Sequence, residues 1–98
     1  MKKLLYFSAE WCGPCKKAAP IINQNLNNIP DDCKINFHEI DIDKSMDVYG
    51  LLKTKRMIQG VPSLVYYNSE NKTIWPSEAI SSSKPEDINN FFNTIIND

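Results

Sequence analysis

Ninety-eight residues, 42% hydrophobic and 23% charged, are enough for one ordinary globular domain and too apolar for a disordered chain. Eleven basic residues against 12 acidic ones leave a net charge of −1, so no basic footprint for nucleic acid exists. No apolar run approaches the ~20 residues of a membrane helix, and three cysteines are too few, and odd in number, for a secreted disulfide scaffold.

The chain starts Met1-Lys2-Lys3-Leu4-Leu5, like the head of a signal peptide. The apolar part stops at Phe7 and no cleavage site follows, so an intracellular, cytoplasmic protein is expected. Lys3 to Phe7 reads instead as a buried parallel strand, being continuously apolar rather than alternating. Ser8-Ala9-Glu10 is a loop delivering Trp11-Cys12-Gly13-Pro14-Cys15. From Cys12 to about Asn28 the pattern is helical, its apolar face supplied by Ala18, Ala19, Ile21, Ile22, Leu26 and Ile29. Pro20 falls inside that helix and should kink it.

Pro30-Asp31-Asp32 is a turn, and Ile35 to Ile42 a second strand. Ser45 is a candidate N-cap for a short helix reaching about Lys53, weakened by Gly50. Gly60-Val61-Pro62-Ser63 turns into the strand Leu64–Tyr67. Asn68 to Asn71 then forms a hairpin loop, with Thr73-Ile74-Trp75 as the returning strand. Ser81-Ser82-Ser83 is a linker. Ser83-Lys84-Pro85-Glu86 fits a capping box, followed by a helical stripe of Ile88, Phe91, Phe92, Ile95 and Ile96. No repeats or low-complexity tracts interrupt the order strand–helix–strand–helix–strand–strand–helix.

Two thiols at a strand–helix junction carry the chemistry. Cys12 falls at a helix N-terminus, where unpaired N–H groups and the macrodipole favour a thiolate, the attacking form of cysteine. Pro14 has no N–H to leave unpaired in the first turn and sets the helical φ in advance. Cys15, one turn on, can attack a mixed disulfide. The pair reads as a reversible dithiol.

Ala9-Glu10-Trp11-Cys12-Gly13-Pro14-Cys15-Lys16 resembles the active-site segment of thioredoxins, and Pro20 falls where that family's helix is kinked. Gly60-Val61-Pro62-Ser63 resembles the family's cis-proline loop, and the element order agrees over essentially the whole chain. The resemblance implies a thioredoxin fold: a central mixed four-stranded sheet flanked by helices, with the first three elements forming a right-handed βαβ unit. It also implies that Cys12 is the exposed nucleophile, Cys15 the buried resolving thiol and Val61–Pro62 a cis bond. Trp11, Gly13, Pro14, Gly60, Val61 and Pro62 would then form the substrate groove. Its activity would be reduction of disulfide-containing protein partners. No bound cofactor or metal is implied; electrons would come from a thioredoxin reductase with NADPH or from another thiol system. A monomer is expected.

Three departures from the family stand out. Tyr6 occupies the position of the usual buried aspartate, and Glu39 that of the usual lysine, so Glu39, if buried near Cys15, is the candidate for proton transfer; the alternative is an exposed strand-edge carboxylate. The stretch between Asp43 and Pro62 is longer than usual. A glycine expected after the last strand is missing around Pro76-Ser77-Glu78.

Other readings follow from the same residues. Cys12, Cys15, Cys33 and His38 have the composition of a Cys₃His zinc set. However, Cys12 sits at the exit of the first strand and Cys33 near the entrance of a parallel second one, and a strand of about six residues keeps those ends roughly 20 Å apart. Cys33 is then a bystander thiol, and His38 a surface residue. Lys53, Lys55 and Arg56 form a positive cluster before Gly60 that reads as a solvated helix end. A glutaredoxin-like reductase recharged by glutathione is the enzymatic alternative, opposed by Gly13-Pro14. A non-catalytic thioredoxin-fold binding module is the alternative from another class.

Overall fold

The computed structural model describes residues 2–98. Its elements in order are β1 (Lys2–Ser8), α1 (Gly13–Asn27), β2 (Ile35–Asp41), α2 (Asp47–Thr54), β3 (Ser63–Tyr67), β4 (Glu78–Ile80) and α3 (Pro85–Ile96). The apolar run Leu4–Phe7 is buried on both sides because β1 lies inside the sheet, parallel to β2 and antiparallel to β3. With β4 antiparallel on β3, the strand order is β2-β1-β3-β4. This is the mixed four-stranded sheet expected from the sequence.

Side chains alternate across a strand, so each inner strand feeds two cores. Leu5, Phe7, Val65 and Tyr67 pack with Tyr49 and Leu52 of α2. Leu4, Tyr6, Leu64 and Tyr66 point the other way, among Ala18 and Ile22 of α1 and Ile88, Phe91, Phe92 and Ile95 of α3. The apolar stripe read from the last helix is thus its buried face. Pro20 withholds one N–H from α1, yet the helix runs on to Asn27.

Three local expectations are corrected. Ser45 is not an N-cap: its N–H and that of Lys44 both go to the Asp41 carbonyl (3.0 Å each), drawing 41–45 into a turn. The helix starts one step later, behind Met46, with no side-chain cap. The segment Thr73-Ile74-Trp75 is not a strand. Asn71 captures it locally, accepting from the Thr73 N–H at 2.9 Å and donating to the Trp75 carbonyl at 2.8 Å. Such side-chain bonds compete with a ladder. Pairing resumes where the Ser77 N–H reaches the Tyr66 carbonyl at 2.7 Å, so the return strand is Glu78–Ile80. Finally, Pro85 takes the first position of α3 and puts Lys84, not Ser83, at its cap. Ser82 substitutes for the box: its Oγ accepts from the Lys84 N–H (3.1 Å) and donates to Asp87 Oδ2 (2.7 Å).

The C-terminus of α2 carries a Schellman closure. Arg56 N–H returns to the Lys53 carbonyl at 3.0 Å and Met57 N–H to the Leu52 carbonyl at 2.9 Å. The residue in the left-handed region (φ 61°) is Arg56, where glycine is usual.

Candidate active site

β1 ends in the middle of the sheet, and the chain leaves it directly into the Cys12–Cys15 segment. Cys12 is the N-cap of α1, with extended backbone (φ −86°, ψ 106°), and its Sγ accepts from the Cys15 N–H at 3.1 Å. A sulfur held against a free first-turn N–H is at the positive end of a 15-residue helix. Cys12 and Cys15 form a disulfide, their Cα atoms 5.2 Å apart. An exposed Cys12 was expected beside a buried Cys15, but in this disulfide state both are buried, at 3% and 4% exposure. Capping turns the Cys12 sulfur inward, toward the helix it caps.

The groove residues sort by depth. Trp11 is 66% exposed, its indole Nε1–H fixed on Asp43 Oδ2 at 2.9 Å. Gly13 and Pro14 are exposed, Gly60 and Val61 half-buried and Pro62 buried. The Val61–Pro62 peptide is cis. Pro14, Gly60, Val61 and Pro62 share a recess of about 360 Å³ with Ser81 and Ser82. Val61 and Trp75 pack against the core cluster that contains both cysteines.

Beneath the dithiol, Tyr6 is buried and its hydroxyl donates to the Cys15 carbonyl at 3.2 Å. Burial, and then the charge of Glu39, push its pKa up to about 12. At neutral pH Tyr6 is therefore a fixed donor, not a base. Glu39 pairs with Tyr6 in the parallel register, on the edge strand β2, and is exposed. Of the two readings of Glu39, the exposed strand-edge carboxylate is the one observed, and the edge position of β2 explains it. It does line, with Tyr6, Cys15, Asp41 and Lys44, an open recess of about 410 Å³. The recess opens the Cys15 side of the helix to solvent.

Cys33 and His38 are not brought to the dithiol. Residues entering β2 lie beside the start of β1 (Ile35 opposite Lys2), whereas the dithiol follows its far end. Cys33 is half-buried beside Lys2, 3.9 Å from its Nζ, and His38 is exposed. Lys53, Lys55 and Arg56 are all exposed at the end of α2, with Lys53 Nζ lying 5.9 Å from the Tyr49 ring centre.

Sequence reasoning missed Asp43, Ser63 and Ser81. Asp43 follows a strand whose end faces the Trp11 loop. With the return strand expected at 73–75, Ser81 falls in a stretch that reads as a linker. With Leu64 opposite Ile80, the next cross-strand pair is Ser63 and Ser81.

The family model Thioredoxin matches residues 1–94. Among curated relatives, a thioredoxin of Ophiophagus hannah is 36% identical over 66 residues, 67% of this chain and 56% of that protein. The mitochondrial thioredoxin O of Oryza sativa subsp. japonica is 36% identical over 70 residues, 71% of this chain and 37% of that protein. The chain thus spans less than two thirds of the length of these relatives. The crystal structure of oxidised thioredoxin O2 from Arabidopsis thaliana superposes with a TM-score of 0.71 at 23% identity, covering 96% of this chain and 74% of that one. That likeness establishes the fold. With the family model spanning nearly every residue, the chain belongs to the thioredoxin family.

Proposed function

We propose that the chain is a dithiol–disulfide oxidoreductase that reduces disulfides in partner proteins. The observation that carries this reading is the Cys12–Cys15 disulfide at the N-terminus of α1, beside the cis-Pro62 loop. In the reduced state the Cys12 thiolate attacks one sulfur of a partner disulfide. A Cys12–partner bond forms, and the partner's second sulfur leaves as a thiolate and takes a proton. Cys15 then loses its proton and attacks Cys12 Sγ. The Cys12–Cys15 bond forms, the partner's remaining sulfur leaves as thiolate and is protonated, and two electrons have passed to the partner. Glu39 is the acceptor for the Cys15 proton, through water in the recess that both residues line. Tyr6 holds the Cys15 backbone while this happens.

The dithiol is itself the redox group, so the chemistry requires no bound cofactor. A thioredoxin reductase with NADPH, or a small thiol, returns the two electrons. An odd cysteine count of three fits a reducing compartment such as the cytoplasm.

Insulin disulfide reduction at neutral pH, with dithiothreitol or a thioredoxin reductase and NADPH, tests the reading. Wild type turns over and Cys12→Ser does not. A wild type with free thiols and no turnover would move the groove to a purely binding role.

A further inference from the structure

The loop carrying cis-Pro62 is held by a one-way chain of hydrogen bonds that begins and ends on its own backbone. Ser63 Oγ donates to the Gly60 carbonyl, which can only accept. A hydroxyl has one proton, so in the 2.8 Å contact between Ser63 and Ser81 the donor must be Ser81. Ser81 Oγ in turn accepts from the Gln59 N–H at 2.9 Å. The direction is fixed throughout: Gln59 N–H to Ser81, Ser81 to Ser63, Ser63 to the Gly60 carbonyl.

Both backbone groups are thereby drawn inward, toward the end of β4. Ser63 is 1% exposed, so its partners are not exchangeable for water without cost. Val61, next in the chain, uses neither its N–H nor its carbonyl in any hydrogen bond among the described residues. It is half-buried and lines the recess that also includes Pro14, Pro62 and Ser81. The relay thus fixes the backbone just before Val61, whose own N–H and carbonyl stay free in the recess shared with Pro14 and which packs against the cluster containing both cysteines.

We propose that Ser81 is a positioning residue for protein substrates, acting through Ser63 and the Gln59–Gly60 backbone; this rests on the oxidoreductase reading above. Its partner is an extended peptide segment next to a disulfide, recognised by main-chain hydrogen bonds to Val61. Ser81 touches no reacting atom. Its effect belongs to binding, not to the sulfur chemistry.

Steady-state insulin reduction by wild type, Ser81→Ala and Ser81→Thr is the test. Losing one hydrogen bond of ordinary net strength corresponds to about threefold to tenfold. Ser81→Ala raises KM by that factor while kcat stays within about twofold, and Ser81→Thr, which keeps the hydroxyl, restores KM. An unchanged KM in Ser81→Ala, or an equal loss in kcat and kcat/KM, would overturn the proposal. So would failure of Ser81→Thr to rescue a variant that still melts cooperatively. Absence of turnover in the wild type would instead overturn the oxidoreductase reading, and this one with it.

Discussion

The Tyr6 hydroxyl lies 3.2 Å from the Cys15 carbonyl and donates to it, so a first-strand side chain grips the first turn of the helix bearing the dithiol. Tyr6→Phe keeps the ring in its core and removes only that bond. Because first-turn carbonyls also accept along the helix, the loss is that of one ordinary hydrogen bond, about 1 kcal/mol. For a domain of this size that lowers Tm by about 4–8 °C. Thermal unfolding of the oxidised protein checks it; an unchanged Tm would show that the contact adds nothing.

The same tyrosine sets a pH limit. Its pKa rises from 10.0 in the open chain to about 12 in the fold, through burial first and the Glu39 charge second. Tyr66, through burial and its bond to Asp98, and Tyr67, through burial, are shifted the same way. A raised pKa means that the folded state binds the proton more tightly. The stabilisation is complete below pH 10 and is lost as pH climbs from about 10 through about 12. Denaturation midpoints measured across that range should fall, and fall less steeply in Tyr6→Phe. Parallel curves for the two proteins would contradict this.

Glu39 shares an open recess with Cys15. Glu39→Gln should slow resolution of the mixed disulfide by roughly 10²-fold near neutral pH, the low end of general-base catalysis. The deficit should shrink as hydroxide takes over. Stopped-flow resolution rates against pH decide it, and superimposable profiles would remove Glu39 from the mechanism.

Arg56 occupies a left-handed backbone site (φ 61°) that closes α2. A side chain there costs about 1–2 kcal/mol relative to glycine, partly offset by glycine's greater freedom when unfolded. Arg56→Gly should therefore stabilise the protein by about 1 kcal/mol, read as a higher urea midpoint. A lower midpoint would mean that the arginine side chain makes a compensating contact.

Most of the fold was legible because its strongest signals are local. Leu4–Phe7 announces a buried strand, Ile88 to Ile95 a helix face, and Cys12 to Cys15 a dithiol at a helix cap. What stayed hidden depended on pairing. Thr73–Trp75 has good strand composition, and nothing in sequence shows that Asn71 will bind it first. Misplacing that strand hid the register that sets Ser63 against Ser81. Glu39 was legible as the residue beside Tyr6, but whether it is buried depends on β2 lying at the edge, a property of the whole sheet.

The sheet keeps two cores apart, one holding the disulfide with α2 and the other holding α3. Substitutions more than about 7–10 Å apart with no common neighbour act nearly additively. The far side, around Phe92 and Ile95, is therefore where this protein can be made hardier by repacking alone. Changes there and changes at the sulfur-bearing face can be chosen separately and then combined. Tyr6, which belongs to the far core and bonds the Cys15 carbonyl, is the link between the two faces that such repacking leaves untouched.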